Sequence, residues 1–209
     1  MATPPYREVK RRIQAFFDER AADWDEHMGP AHAERLARIV DELDIVPGSR
    51  VLDVGTGNGV LLPLLEPVAR LAVALDVSAN MLVEARQRAH VPQAAYLQAD
   101  ALDLPLPSCS FDMVICNSCF PHFQDQRRAT GEMARVLTNG GRLVICHTRS
   151  RHAINQCHHS HGGVIGGHET PDAHGMSACL AHAGLRLDIL NDGEDRYLVV
   201  ARKPRLTRS

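Results

Sequence analysis

From Arg50 onward the chain alternates short apolar runs with amphipathic stretches, and this alternation constrains its fold more than any other feature. The runs are Val51–Val54, Leu71–Asp76, Ala94–Gln98, Phe111–Cys116 and Arg142–Cys146. They have the length of strands rather than helices. Between them lie helical patterns over Val60–Val68, from an N-capping Ser78 to Ala89, and over Asp125–Leu137. Pro63 suits the first turn of its helix, where a missing N–H costs little. Strands separated by helices pair in parallel, and a sheet covered on both faces reads as continuous apolar runs. After a turn at Asn139-Gly140-Gly141, the fifth run and a helix over Asp172–Ala183, the pattern changes. Leu185–Leu190 and Tyr197–Ala201 flank Asn191-Asp192-Gly193-Glu194, a hairpin signal, so one strand should run antiparallel.

Ahead of this core, Val9, Ile13, Phe16, Phe17 and Trp24 fall along one face of a helix spanning Tyr6–Glu26. A second helix follows Pro30, with Leu36, Ile39, Val40 and Leu43 on one stripe, and Asp44-Ile45-Val46-Pro47-Gly48 breaks it. The 209 residues suit a single domain 1–209, with residues 1–44 as a helical lid on an α/β core at 45–201.

A net charge of -2 gives no reason to expect nucleic acid or a membrane surface as partner. The basic stretch Arg202–Arg208 reads as a solvated terminus. No apolar run reaches the roughly 18 residues of a membrane span, and the N-terminus lacks an apolar signal core. A cytoplasmic location and a monomer or homodimer are therefore expected. The six cysteines are expected to be free thiols. Cys116 and Cys119 form a lone C-x-x-C without the second pair a zinc ribbon needs, and Cys116 and Cys146 end apolar runs as core residues do.

Three chemical signals follow three successive strands. Asp53-Val54-Gly55-Thr56-Gly57-Asn58-Gly59 closes the first, and its glycines let the backbone approach a ligand. Asp76 closes the second, where a carboxylate can accept both hydroxyls of a ribose. Asp100 follows the third, where it or the Ala101 N–H could meet an adenine edge. A dinucleotide site is the rival reading. Its fingerprint is G-x-G-x-x-G, whereas this turn is G-x-G-x-G. The carboxylate of Asp53 would also repel a pyrophosphate.

These stretches resemble the motifs of class I S-adenosylmethionine (SAM)-dependent methyltransferases. Asp53–Gly59 resembles the first motif and Leu75–Leu82 the second, acidic one. Ala99–Leu106, Ser110–Val114 and Arg135–Leu143 resemble those that follow. The resemblance covers residues 45 to 201 in order and is nearest to the small-molecule branch that includes quinone-biosynthesis methyltransferases. It implies a Rossmann-like, doubly wound, seven-stranded and mostly parallel sheet with an antiparallel C-terminal hairpin and an N-terminal helical cover. It implies transfer of a methyl group to a small-molecule acceptor. SAM would be held by Asp53, Gly55, Thr56, Gly57, Asn58 and Gly59, with Asp76 at the ribose. Val77 and Met81 would lie near the adenine, Asp100 and Ala101 at its edge, and Asn117 at the methionine end. Phe16–Asp25 resembles the N-terminal cover of several such enzymes.

The acceptor side is expected from Asn117-Ser118-Cys119-Phe120-Pro121-His122-Phe123 and from a loop between His147 and His174. That loop carries seven of the twelve histidines, together with Gly162-Gly163 and Gly166-Gly167. Its histidines admit three readings: a general base, with His147 and His158 as catalytic candidates; ligands to Zn or Fe, with His147, His158 and His168 as candidates; or exposed polar residues of a mobile loop. A SAM- or metal-binding regulatory protein without turnover is the alternative to an enzyme.

Overall fold

The computed structural model describes residues 6–24, 26 and 31–205. Asp25, Pro30 and the basic tail beyond Arg205 lie outside them. Seven strands form one sheet: β1 (Ser49–Val54), β2 (Ala69–Asp76), β3 (Ala94–Gln98), β4 (Phe111–Asn117), β5 (Leu137–His147), β6 (Arg186–Asp192) and β7 (Tyr197–Arg202). Their order is β3-β2-β1-β4-β5-β7-β6. The pairs from β3 through β5 are parallel, and β7 runs antiparallel to both β5 and β6. The expected doubly wound sheet with its reversed strand is therefore observed.

Period-two alternation explains the two-sided core. Leu52, Val54, Val114, Cys116, Leu143, Ile145, Val199 and Ala201 face one apolar layer. Val51, Met113, Ile115, Val144, Leu198 and Val200 face the other. The first layer is closed by helix α5 (Gln126–Val136) through Met133 and Ala129, and by α7 (Ala173–His182) through Met176 and Leu180. The second is closed by α2 (His32–Glu42) through Leu36, Ile39 and Val40, and by the short α3 (Leu62–Leu65).

Four local expectations are corrected. Helix α1 (Tyr6–Asp18) stops well before Glu26; the chain turns so that Trp24 packs edge-on against Phe17 at 5.5 Å. Helix α3 is shorter than Val60–Val68 because Pro67 has no N–H to extend its ladder. The turn at Asn139–Gly141 is absorbed into an irregular start of β5, where the register with β4 shifts, Gly140 takes φ +84° and its N–H bonds the Lys203 carbonyl at 2.8 Å. Much of the histidine-rich segment is helical rather than loop, as α6 (Arg151–His161). Its start is capped by the Ser150 hydroxyl accepting from the Ala153 N–H at 3.2 Å. Ile154 and His158, four residues apart, form its buried stripe. Helix α4 (Ala79–Ala89) begins as expected, with the Ser78 hydroxyl accepting from the Met81 N–H at 3.1 Å.

Candidate active site

The strand order reverses between β1 and β4, and the carboxyl ends of those strands open a crevice there, where ligands bind in sheets of this kind. Asp53 ends β1 almost fully buried, 1% exposed. Its Oδ2 accepts from the Thr56 hydroxyl at 2.6 Å, and its Oδ1 is buried without a partner. Burial pushes this carboxyl up to about 7, with the hydrogen bond from Thr56 opposing and the charge of Asp76 adding to the rise. Asp76 ends β2. Its oxygens accept from the Gly57 N–H and the Ser78 N–H, both at 2.9 Å. Burial pushes it up to about 6 against those backbone donors. Two adjacent buried carboxylates, one with an oxygen unpaired, make a cavity suited to a cation and to hydroxyl donors.

The glycines of the turn do different jobs. A Cβ on Gly55, at φ +68°, would fall 2.5 Å from the Cβ of Cys119, so the β1 turn can sit on the β4 turn only with glycine there. Gly59 meets the same limit against Ala85 of α4, at 2.9 Å. It is not among the residues that line the cavity described next, and it packs the turn onto a helix. Asp53, Gly55, Thr56, Gly57, Asn58, Asp76, Val77, Met81, Asp100, Ala101 and Asn117 all line one cavity of about 1070 Å³, counting its open mouth.

The roof of that cavity is α1. Tyr6, Lys10, Ile13 and Phe17 line it. The Tyr6 hydroxyl and the Lys10 ammonium, the latter at 2.9 Å, both engage Asp100. Burial alone would raise the Asp100 carboxyl, but bonds from Tyr6, the Leu102 N–H and Lys10 together hold it below the usual carboxylate range. At its other end Asp18 accepts from the Ser78 hydroxyl at 2.5 Å and the Asn80 N–H at 3.2 Å. The helix is thus pinned at both ends, and its carboxylate partner is the residue expected at the adenine edge.

A second cavity of about 840 Å³ adjoins the first, and Phe17, Trp24, Ser118 and His122 line both. Ser118 takes φ +57°, a backbone conformation that costs energy for any residue but glycine and turns the chain between the two spaces. The second cavity is also lined by His147 from the end of β5 and by His158 and His161 from α6. His147 is 4% exposed, its Nε2 has no partner, and burial pushes it down to about 3. His158 Nδ1 donates to the His168 carbonyl at 2.8 Å. Its Nε2 therefore carries the lone pair in the neutral ring.

His122 is the residue that sequence reasoning passed over; it belonged to the Asn117–Phe123 stretch without a role of its own. It sits on a 3-10 turn (Phe120–His122) just past β4. Its Nδ1 lies 2.9 Å from His168 Nδ1, so one of the two rings donates a proton to the other. Burial, then the nearby His158, His168 and His147, hold it well below its ordinary value and hence neutral. The only signal available was its place on the turn after a strand end.

The proposed metal ligands do not converge. His168 lies outside both cavity linings and offers its carbonyl and Nδ1 to the other histidines. The His122 ring packs at 4.9 Å from His158 and 5.2 Å from His168, tilted by 54° and 61°. Among the described residues no three His, Cys, Asp or Glu side chains are grouped to hold a metal ion. Nor, among them, is any helix long and apolar enough to cross a membrane.

Residues 52–145 match the methyltransferase-domain family. Demethylmenaquinone methyltransferase of Thermus thermophilus is 42% identical over 100 residues, 46% of this chain and 46% of that one. This chain spans about half the length of the curated relatives it matches. Among solved structures, a chain from the complex between the Haloferax volcanii Trm112 methyltransferase activator and a methyltransferase superposes with a TM-score of 0.79 at 22% identity, covering 90% of this chain and 98% of that one. A SAM-dependent methyltransferase from Aquifex aeolicus gives 0.68 at 22% identity, covering 87% and 97%. In its central segment the chain is similar to the methyltransferase-domain family, and its fold is that of SAM-dependent methyltransferases.

Proposed function

We propose that this chain transfers the methyl group of SAM to a small-molecule acceptor held in the second cavity. The observation that carries the reading is the pairing of the two cavities: a carboxylate-walled space that suits a cation opens onto a histidine-lined one through shared residues. The unpaired Oδ1 of Asp53 fits the ammonium of the methionine moiety, and the second lone pairs of Asp76 fit ribose hydroxyls. Bound there, SAM would supply an electrophilic methyl group with a neutral thioether as its leaving group.

The chain's own part is to orient the acceptor, exclude water and take its proton. His122 is placed for the last of these, at the junction of the cavities. In the tautomer whose Nδ1–H donates to His168, its Nε2 holds the lone pair that would take the proton. Helix α1, pinned over the cofactor cavity at Asp100 and at Ser78, acts as a lid. The test is incubation with methyl-labelled SAM and a panel of hydroxyl, thiol and carbon acids, followed by detection of labelled product. Label transfer that disappears in Asp76→Ala supports the reading; SAM binding with no transfer to any class of acceptor would favour a SAM-binding protein without turnover.

A further inference from the structure

The two cavities differ in charge. The first is walled by Asp53, Asp76 and Asp100. The second, among the described residues, has no Asp or Glu side chain in its lining and has two arginines, Arg20 and Arg149. The rest of its wall is aromatic and aliphatic (Phe16, Phe17, Trp24, Ile154, Ile165), with the hydroxyls of Ser118 and Thr148, the Cys157 thiol and four histidines. Arg149 is exposed, and no described carboxylate lies within ion-pair reach of it. The Arg20 guanidinium carbon lies 3.8 Å from the centre of the Phe16 ring, and its Nη1 donates to the Phe16 carbonyl at 3.0 Å. Its nearest carboxylate, Glu19, stands outside the cavity at 3.6 Å and 74% exposed, so solvent screens it. Arg149 is exposed and Arg20 half-buried, which places them toward the rim, whereas His147 and His158 are buried and Ser118 and His122 also line the first cavity.

We infer that the acceptor is an organic acid: an apolar, ring-sized body whose carboxylate or similar anionic group is anchored by Arg20 and Arg149 at the rim, with the atom to be methylated at the Ser118–His122 end. This rests on the methyl-transfer reading and names its substrate class. A guanidinium presents a planar fork of donors that matches a carboxylate, and a stacked one is pre-organised to do so. A cationic acceptor would find no counter-charge in this wall, and a fully neutral one would leave two cations unused. Placing the anion at the rim spares it the full cost of desolvation. The aromatic and aliphatic wall takes the body out of water, at about 25 cal/mol per Å² of apolar surface.

The test uses the whole chain saturated with S-adenosylhomocysteine (SAH). Three probes with one body, 2-naphthoate, 2-naphthylmethanol and 2-naphthylmethylammonium, are titrated and read by the fluorescence of Trp24, the only tryptophan, which lines both cavities. The naphthoate is expected to bind roughly threefold to tenfold tighter than the alcohol, with the ammonium weakest. Arg149→Gln and Arg20→Gln should each erode that advantage, and Arg149→Glu should abolish it, with SAH affinity unchanged in all three. Equal binding of the three probes, a preference for the ammonium, or no binding by any of them at millimolar concentration would overturn the inference. Failure of SAH itself to bind would instead overturn the methyl-transfer reading, so the two failures are distinguishable.

Discussion

The cofactor cavity and the acceptor cavity share a wall of four residues but are built from opposite chemistry. One collects carboxylates at the ends of β1 and β2 and after β3; the other collects imidazoles at the end of β5 and on α6 and arginines at its rim. Both kinds of group are buried, and burial disfavours the charged form of each. The carboxyls of Asp53 and Asp76 therefore rise and the imidazoles of His122 and His147 fall, so these four groups move toward neutrality, whereas the bonds from α1 hold Asp100 low. A carboxylate pocket in that condition is stabilised by a bound cation. A neutral imidazole keeps its lone pair free at neutral pH, though burial also makes it a weaker base than in water. In the function proposed above, the carboxyl ends of one sheet would hold the sulfonium on one side and activate a nucleophile on the other.

The sharpest way to break the comparison is Asp76→Ala. It removes a buried acceptor for two backbone N–H groups along with the ribose contact. SAH affinity should fall by about 100-fold, measured by calorimetry. His122→Gln should do the reverse: turnover down by about 10²- to 10³-fold with SAH affinity within about threefold. If both variants lost only SAH binding, the two cavities would not have separate jobs.

Next come the opposed pH dependences. Asp53 ionises near 7 folded and near its ordinary value unfolded. Its contribution to stability is therefore present at low pH and lost as pH rises through about 7. Asp53→Asn should raise the melting temperature at pH 8, by the equivalent of about 4 kcal/mol, with the gain shrinking as pH falls and vanishing only below about pH 4. SAM affinity of the parent protein should be flat above about pH 7.5 and weaken below pH 6, as Asp53 and Asp76 take up protons. His147 has the opposite sign. Its folded value is about 3, so its contribution is present above the ordinary histidine range and lost as pH falls. His147→Gln should therefore flatten the loss of stability between pH 7 and pH 5, by about 2 kcal/mol at pH 5, in denaturant titrations. The smallest effect is expected of Tyr6→Phe. It removes one donor from Asp100 at the lid and should cost about 0.5–1.5 kcal/mol in the same titrations.

How far these regions were legible in the sequence differs for a physical reason. The cofactor side follows a backbone requirement: a turn at positive φ and carboxylates at strand ends are local features, so eleven of the twelve residues read as cofactor contacts line one cavity. Gly59 is the twelfth, and spacing alone does not show that it packs against Ala85. The acceptor side is assembled from distant segments. The His122–His168 contact spans 46 positions, and no local pattern marks it. The paired glycines drew the histidine-rich segment toward a loop reading, while the cap at Ser150 and the Ile154–His158 pair made it a helix. Sheet order followed from the alternation of elements, whereas the early end of α1 depended on the packing of Phe17 with Trp24.

Calorimetric titration of the purified chain with SAM and SAH at pH 7.5, alongside Asp76→Ala, tests the central claim most directly. The account predicts one site per chain, micromolar or tighter for both ligands in the parent protein and weakened by about 100-fold in the variant. Absence of binding by a folded parent protein, or equal affinity in the variant, would contradict it.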